Sequence, residues 1–182
     1  MVIPALGISM SCSTLVGQNI GAGNVQRAVK ISRLAAWSSF WILSVIGIIF
    51  YFMAGYIVRF FVSNDAAVVN ESIVFVHIVA LTFGFIGIQQ ALIGTFRGSG
   101  NTLTTMVLSI IAVWVLQFPL GYFLSQHTTL GYRGLWWAFP VSNVIAALVA
   151  LAWYMKGSWQ HKKILSPVFQ RVSDEIITEE TR

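Results

Sequence analysis

Charge is what this sequence has least of. Only 9% of its 182 residues are Asp, Glu, Lys or Arg, against roughly 25% in soluble domains. So little charge cannot cover a globule with water-compatible surface. With 57% hydrophobic residues, lipid is the natural solvent. Cysteine is nearly absent too. The single Cys12 excludes an intramolecular disulfide and a multi-cysteine metal site. No metal-ligating cluster and no nucleophile–base–acid set stands at membrane depth, and Ser11 and Ser13 have no His nearby. An enzyme, a metal and a cofactor are therefore not expected. A basic segment ahead of the first apolar run is missing, so no cleavable signal peptide is expected. The chain opens abruptly, with Pro4 already inside an apolar run. That start is expected of a longer polypeptide whose first half is missing.

What is present is a set of long uncharged runs. A membrane-crossing helix needs about 20 mostly apolar residues. Residues 1–20, 34–58, 72–96, 103–124 and 134–155 meet that need, the first span being incomplete at its start. Each is too long for one strand, and the roughly ten-residue alternating segments of a β-barrel are absent. In hydrocarbon the backbone must satisfy its own hydrogen bonds, so helices follow. The expected fold is an all-α polytopic membrane protein. About five transmembrane helices occupy residues 1–163, and a polar tail occupies 164–182.

Net charge is +5. The basic residues flank the apolar runs, so they read as topology signals rather than a nucleic-acid footprint. With five spans, one side holds Arg27, Lys30, Arg33, Arg97, Lys156, Lys162, Lys163, Arg171 and Arg182. The other side holds Arg59 and Arg133. The positive-inside rule then places the C-terminus in the cytoplasm of a cell membrane.

Two turns on the basic side carry Gly-x-Gly-Asn: Gly21-Ala22-Gly23-Asn24 and Gly98-Ser99-Gly100-Asn101. Glycines there permit left-handed backbone and a tight helix exit. A dinucleotide fingerprint is excluded, because the third glycine and the preceding strand are missing. Tyr132, Trp136, Trp137, Trp153, Tyr154 and Trp159 cluster at the ends of the last run, as an interfacial aromatic belt does.

These motifs carry a family resemblance. The stretch from Pro4 through Leu15-Val16-Gly17-Gln18, Gly21-Ala22-Gly23-Asn24 and Ala28 resembles the end of an even-numbered helix in a multidrug and toxic compound extrusion (MATE) lobe. Arg97-Gly98-x-Gly100-Asn101-Thr102 resembles that family's short cytoplasmic turn. Gly131-x-x-Gly134 followed by Trp137-Ala138 resembles the lead-in to a lobe's last helix. Order and spacing agree across about 160 residues. The resemblance implies most of one six-helix lobe of a two-lobe rocking transporter, here the C-terminal one. It implies secondary active efflux of drugs or other bulky, often cationic compounds, in exchange for protons or sodium ions. The site would lie in a cleft completed by the missing N-terminal lobe. A lipid-linked saccharide flippase of the related exporter group is the alternative. Such proteins usually carry basic residues in the cavity, and no Lys or Arg stands mid-span here. A non-transporting membrane module is the reading from another class. No Asp or Glu falls within a span, so the coupling carboxylate is expected in the absent lobe.

Polar residues at membrane depth are the candidate site. They are Thr82, Gln89 and Gln90 in the third run, Trp114 and Gln117 in the fourth, and Asn143 in the fifth. Either they line the cleft and bind drug or water, or they hold neighbouring helices together. Trp114 and Gln117 are three apart and Thr82 and Gln89 seven apart, so each pair shares a face of an unbroken helix. His77 is the candidate proton-sensitive group, or else an interfacial residue bonded to a neighbour. Pro119 and Pro140 invite kinks that either line a cavity or serve packing.

The charge count generates a test of sidedness. Gln26→Cys in a Cys12→Ala background should resist an impermeant maleimide applied to intact cells and react once the cells are opened. Labelling from outside would reverse the orientation.

Overall fold

The computed structural model describes residues 2–61, 65–129 and 131–161. The expected polar tail, 164–182, lies outside them, as do Lys162, Lys163, Arg171 and Arg182. Among the described residues every regular element is helical. They are α1 (Val2–Gly21), α2 (Val25–Phe61), α3 (Ala66–Ala80) and α4 (Phe83–Gly98). α5 (Thr102–Ile110), a π-helical segment (Ile111–Gln117) and α6 (Phe118–Gln126) form one rod, and α7 is Arg133–Met155. A 3-10 turn, Ser158–His161, follows.

Three of these are long and apolar enough to cross a membrane: α2, the α5–α6 rod and α7. α3 and α4 reach that length and apolarity only as a pair bent by 49°, the form of a broken span or a re-entrant loop. α1 has the length, at 20 residues, but is not among them. Its serines, Gln18 and Asn19 dilute its apolar content, and it takes its place by packing. α2 is 37 residues long, or about 55 Å. It outruns the 34–58 stretch, and its first turns carry Arg27, Lys30 and Arg33.

The run 72–96, expected as one unbroken helix, is interrupted at Leu81 and Thr82. No proline is involved. The Thr82 hydroxyl donates to the Val79 carbonyl at 2.9 Å, and the Thr82 N–H donates to the same oxygen at 3.1 Å. A local hydroxyl competing for a helical carbonyl loosens the ladder.

The two Gly-x-Gly-Asn turns close alike. Gly23 and Gly100 take φ of 75° and 73°. The Asn24 N–H reaches the Asn19 carbonyl and the Asn101 N–H reaches the Phe96 carbonyl, both at 2.8 Å. This is the Schellman closure, in which a left-handed glycine lets the chain satisfy the helix's last carbonyls.

α4 is the central helix, packed against α1, α2 and α7. The approach is close because the facing residues are small. A Cβ at Gly94 or Gly98 would strike the Ser9 or Ser13 carbonyl of α1. One at Gly87 would come within 2.6 Å of the Ser39 carbonyl of α2. α1 answers with Ala5, Ser9, Ser13 and Gly17, small residues at every fourth position. In lipid such backbone approach replaces the hydrophobic drive that holds soluble helices together.

Where the three helices meet, one buried hydroxyl ties them. Thr95 donates to the Ala91 carbonyl at 3.1 Å. With its proton so used, it accepts from Ser32 of α2 at 2.6 Å and from the Cys12 thiol of α1 at 3.4 Å. One donor and two lone pairs are all satisfied.

Gly94→Ala should therefore lower stability by about 1–3 kcal/mol, the usual cost of overpacking. Gly55→Ala, where an added Cβ meets nothing within 4 Å, should be neutral or slightly stabilising. Thermal unfolding of the purified full-length protein in detergent reads both. Equal shifts would contradict the packing argument.

Candidate functional site

α4, the π segment and α7 each turn amides toward a shared cavity. It measures about 290 Å³ and lies between α1, α4, the α5–π stretch and α7. Gln89 and Gln90 reach it from α4, Gln117 from the end of the π segment and Asn143 from α7. Four of the six candidate cavity residues are thus brought together. The wall between them is mostly apolar, including Ile86, Ile93, Val113 and Phe139.

The small polar groups at the cavity are spoken for. Ser109 donates to the Thr105 carbonyl at 2.9 Å, Ser142 to the Phe139 carbonyl at 2.9 Å, and Asn143 to that same carbonyl at 2.7 Å. The three glutamines differ: no side-chain amide among them is hydrogen-bonded to another described residue. Each amide offers two donors and one oxygen acceptor. An apolar pocket with a few convergent polar groups is the usual form of a small-molecule site. No ionisable side chain stands on this wall, so what it offers a guest is hydrogen bonding rather than charge pairing.

The π segment explains why Gln117 faces inward while Trp114 does not. Trp114 is 67% exposed and stacks on Phe118 at 5.3 Å. The shared face expected of two residues three apart presumes α-helical winding. A π turn closes five residues back, as the Phe118 N–H does on Val113, so it winds more slowly and separates them. Pro119 follows at once. It supplies no N–H, so the preceding turn lacks one helical donor.

Thr82 is likewise elsewhere. It is 7% exposed and caps the start of α4 with φ of −103° and ψ of 2°, so it stands outside the helical winding that carries Gln89. His77 lies apart from the cavity, stacked on Tyr51 at 4.2 Å. Its Nε2 is 3.0 Å from the Tyr51 carbonyl, so that nitrogen carries the proton. Near the start of α7, Arg133 pairs with Glu71 at 2.6 Å and the Tyr132 hydroxyl donates to the same oxygen at 3.2 Å. This contact joins α3 to α7 and is exposed, where ion pairs contribute little. Nothing in the spacing of the sequence signals this pair, whose partners lie 62 positions apart.

Comparison with known proteins gives the cavity its context. The family model described as MatE matches residues 1–123. The chain is 29% identical over 169 residues to a probable multidrug resistance protein, NorM, of Thermotoga maritima, covering 90% of this chain and 35% of that protein. It is 26% identical over 159 residues to human multidrug and toxin extrusion protein 1, covering 87% of this chain and 28% of that protein. It therefore spans about a third of the length of the curated relatives it matches. Among solved structures it resembles an inward-facing multidrug resistance MATE family transporter, with TM-score 0.82 and 21% identity over 90% of this chain and 38% of that one. An outward-facing transporter of the same family gives TM-score 0.82 at 23% identity, over 89% of this chain and 36% of that one.

The geometry separates two faces that sequence spacing would merge. In the full-length protein, Gln89→Cys and Gln117→Cys should react with a small water-soluble thiol reagent. Thr82→Cys should stay unreactive. Reaction at position 82 as fast as at 89 would mean that Thr82 is not buried as described.

Proposed function

Starting from the premise that this chain belongs to the MatE family, we propose that it forms most of the C-terminal lobe of an efflux transporter for drugs or other bulky organic compounds. The observation that carries the reading is the cavity with three unengaged glutamine amides on an apolar wall. A drug-like molecule brings an apolar body and a few hydrogen-bonding groups, and such a wall accepts both. Curated relatives that match most of this chain in sequence are named for multidrug resistance and toxin extrusion.

The transport cycle is proposed on the same footing. The lobe rocks as a unit against a second lobe supplied by the rest of a longer polypeptide, and the cavity opens to the cleft between them. Equal resemblance to an inward-facing and an outward-facing transporter supports rigid motion, since a lobe that changed shape would favour one. Substrate leaves as protons or sodium ions run inward. Buried ionisable groups are the usual coupling devices. Between Glu71 and Lys156 the described residues contain no carboxylate, which supports assigning the coupling acid to the other lobe. His77, already donating to Tyr51, has at most a secondary part. The basic turns face the cytoplasm.

In a strain lacking other pumps, expression of the complete protein should lower retention of a fluorescent cationic dye. Gln89→Leu and Gln117→Leu should each weaken export by about 2- to 10-fold, the loss of one hydrogen bond at 0.5–1.5 kcal/mol. Export unchanged in both variants at equal expression would remove the amides from the site. Retention unchanged by the parent protein would remove the function.

A further inference from the structure

A second cavity, unlike the first, lies on the flank of the bundle at its basic end. It measures about 570 Å³ and sits between α2, α4 and α7. Lys30 and Arg33 stand at it on α2, above Leu34 and Trp37; Ile88 of α4 and Leu151 of α7 complete the wall. Apart from the two cations the surface is almost wholly apolar. Leu34 and Trp37 remain 68% and 63% exposed, so no described helix covers it.

The two cations are unpaired among the described residues. The carboxylates there are Asp65 and Glu71. Both lie beyond the far end of α2, and Glu71 is engaged by Arg133. Lys30, Arg33, Leu34 and Trp37 recur at helical spacing, so they form one stripe. From Lys30 to Trp37 the stripe runs about 10 Å along the axis. It passes from charge to aliphatic to aromatic over that distance.

We infer that this groove holds one anionic phospholipid from the leaflet into which the basic end of α2 projects. The phosphate sits between Lys30 and Arg33. An acyl chain runs along Leu34 and Trp37 and across Ile88 and Leu151. Charge complementarity selects the occupant. Basic pockets between transmembrane helices favour anionic headgroups, and the long stems of Lys and Arg let their charges meet a phosphate while their methylenes stay in hydrocarbon. A zwitterionic lipid brings its own cation and gains less. An acidic peptide would leave the apolar wall unfilled. The inference needs only membrane embedding and stands apart from the export reading.

The test uses the purified full-length protein in detergent, titrated with phosphatidylglycerol or phosphatidylcholine and read by native mass spectrometry. Phosphatidylglycerol should bind more tightly. The double variant Lys30→Gln/Arg33→Gln should weaken its tightest site by about 10- to 30-fold and leave phosphatidylcholine binding unchanged. Both side chains are exposed, so the variant should fold, and Lys30→Arg/Arg33→Lys should restore binding. Equal affinity for the two lipids, or no change in the double variant, would overturn the inference. So would a dependence on Lys30 and Arg33 seen only after residues 164–182 are deleted. That result would assign the groove to the tail, which carries Asp174, Glu175, Glu179 and Glu180.

Discussion

Lipid removes the ordinary reason for helices to associate, because hydrocarbon solvates an apolar side chain as well as a neighbouring helix does. What remains is contact so close that the bilayer cannot match it. α4 makes such contact on two sides. Gly94 and Gly98 bring it onto the α1 backbone, and Gly87 brings it onto α2. The Thr95 hydroxyl then locks the junction with a full set of hydrogen bonds. Gln89 and Gln90 sit on the same four turns as the glycines, so their position is set by backbone-to-backbone contact rather than by adaptable side chains.

Much of this could be seen in the residues before any coordinates. Uncharged runs marked the helices, and both Gly-x-Gly-Asn turns announced their closures, since few residues other than glycine accept a positive φ. Gln89, Gln90, Gln117 and Asn143 stood out because amides are costly to bury unpaired. What escaped has a common physical cause. Reasoning from spacing assumes uniform winding, and this chain departs from it twice. At Thr82 the departure comes from a hydroxyl that could as well have faced outward. At 111–117 it comes from a hydrogen-bond register shift in a stretch of ordinary apolar residues. Only Pro119 hinted at the second, and nothing in residue type hinted at the first. Trp114 and Thr82 were grouped with the glutamines for that reason. The Glu71–Arg133 contact needed the tertiary fold, as its partners lie 62 positions apart.

Neutral amides suit the proposed export site, which would have to both bind and release. A buried carboxylate holds a cation strongly, but its desolvation then depends on the guest being present. Glutamine carries no such liability. Its hydrogen bonds can pass to water when the guest leaves, at modest net cost, and it tolerates guests of differing shape because its side chain is flexible. A wall of this type favours breadth over affinity. The price is that it cannot couple to an ion gradient by itself. On the proposed function, hydrogen-bonding recognition would belong to this wall and the titrating group to the second lobe.

The two cavities divide along the same line. One is uncharged and sits inside the ring of α1, α4, the π segment and α7; the other is cationic and sits on the flank where α2, α4 and α7 meet. α4 and α7 border both, so a molecule lodged on the flank bears on the helices that carry Gln89, Gln90 and Asn143. The paths between them are short and stiff: Leu92, buried at the flank groove, follows Gln90 by two residues on α4. Close packing leaves such a helix few intermediate positions. With the lobe moving as a unit in the proposed cycle, an occupant that differed in affinity between the lobe's two orientations would shift their balance, and by linkage a guest in the amide cavity would shift the occupant's affinity in return.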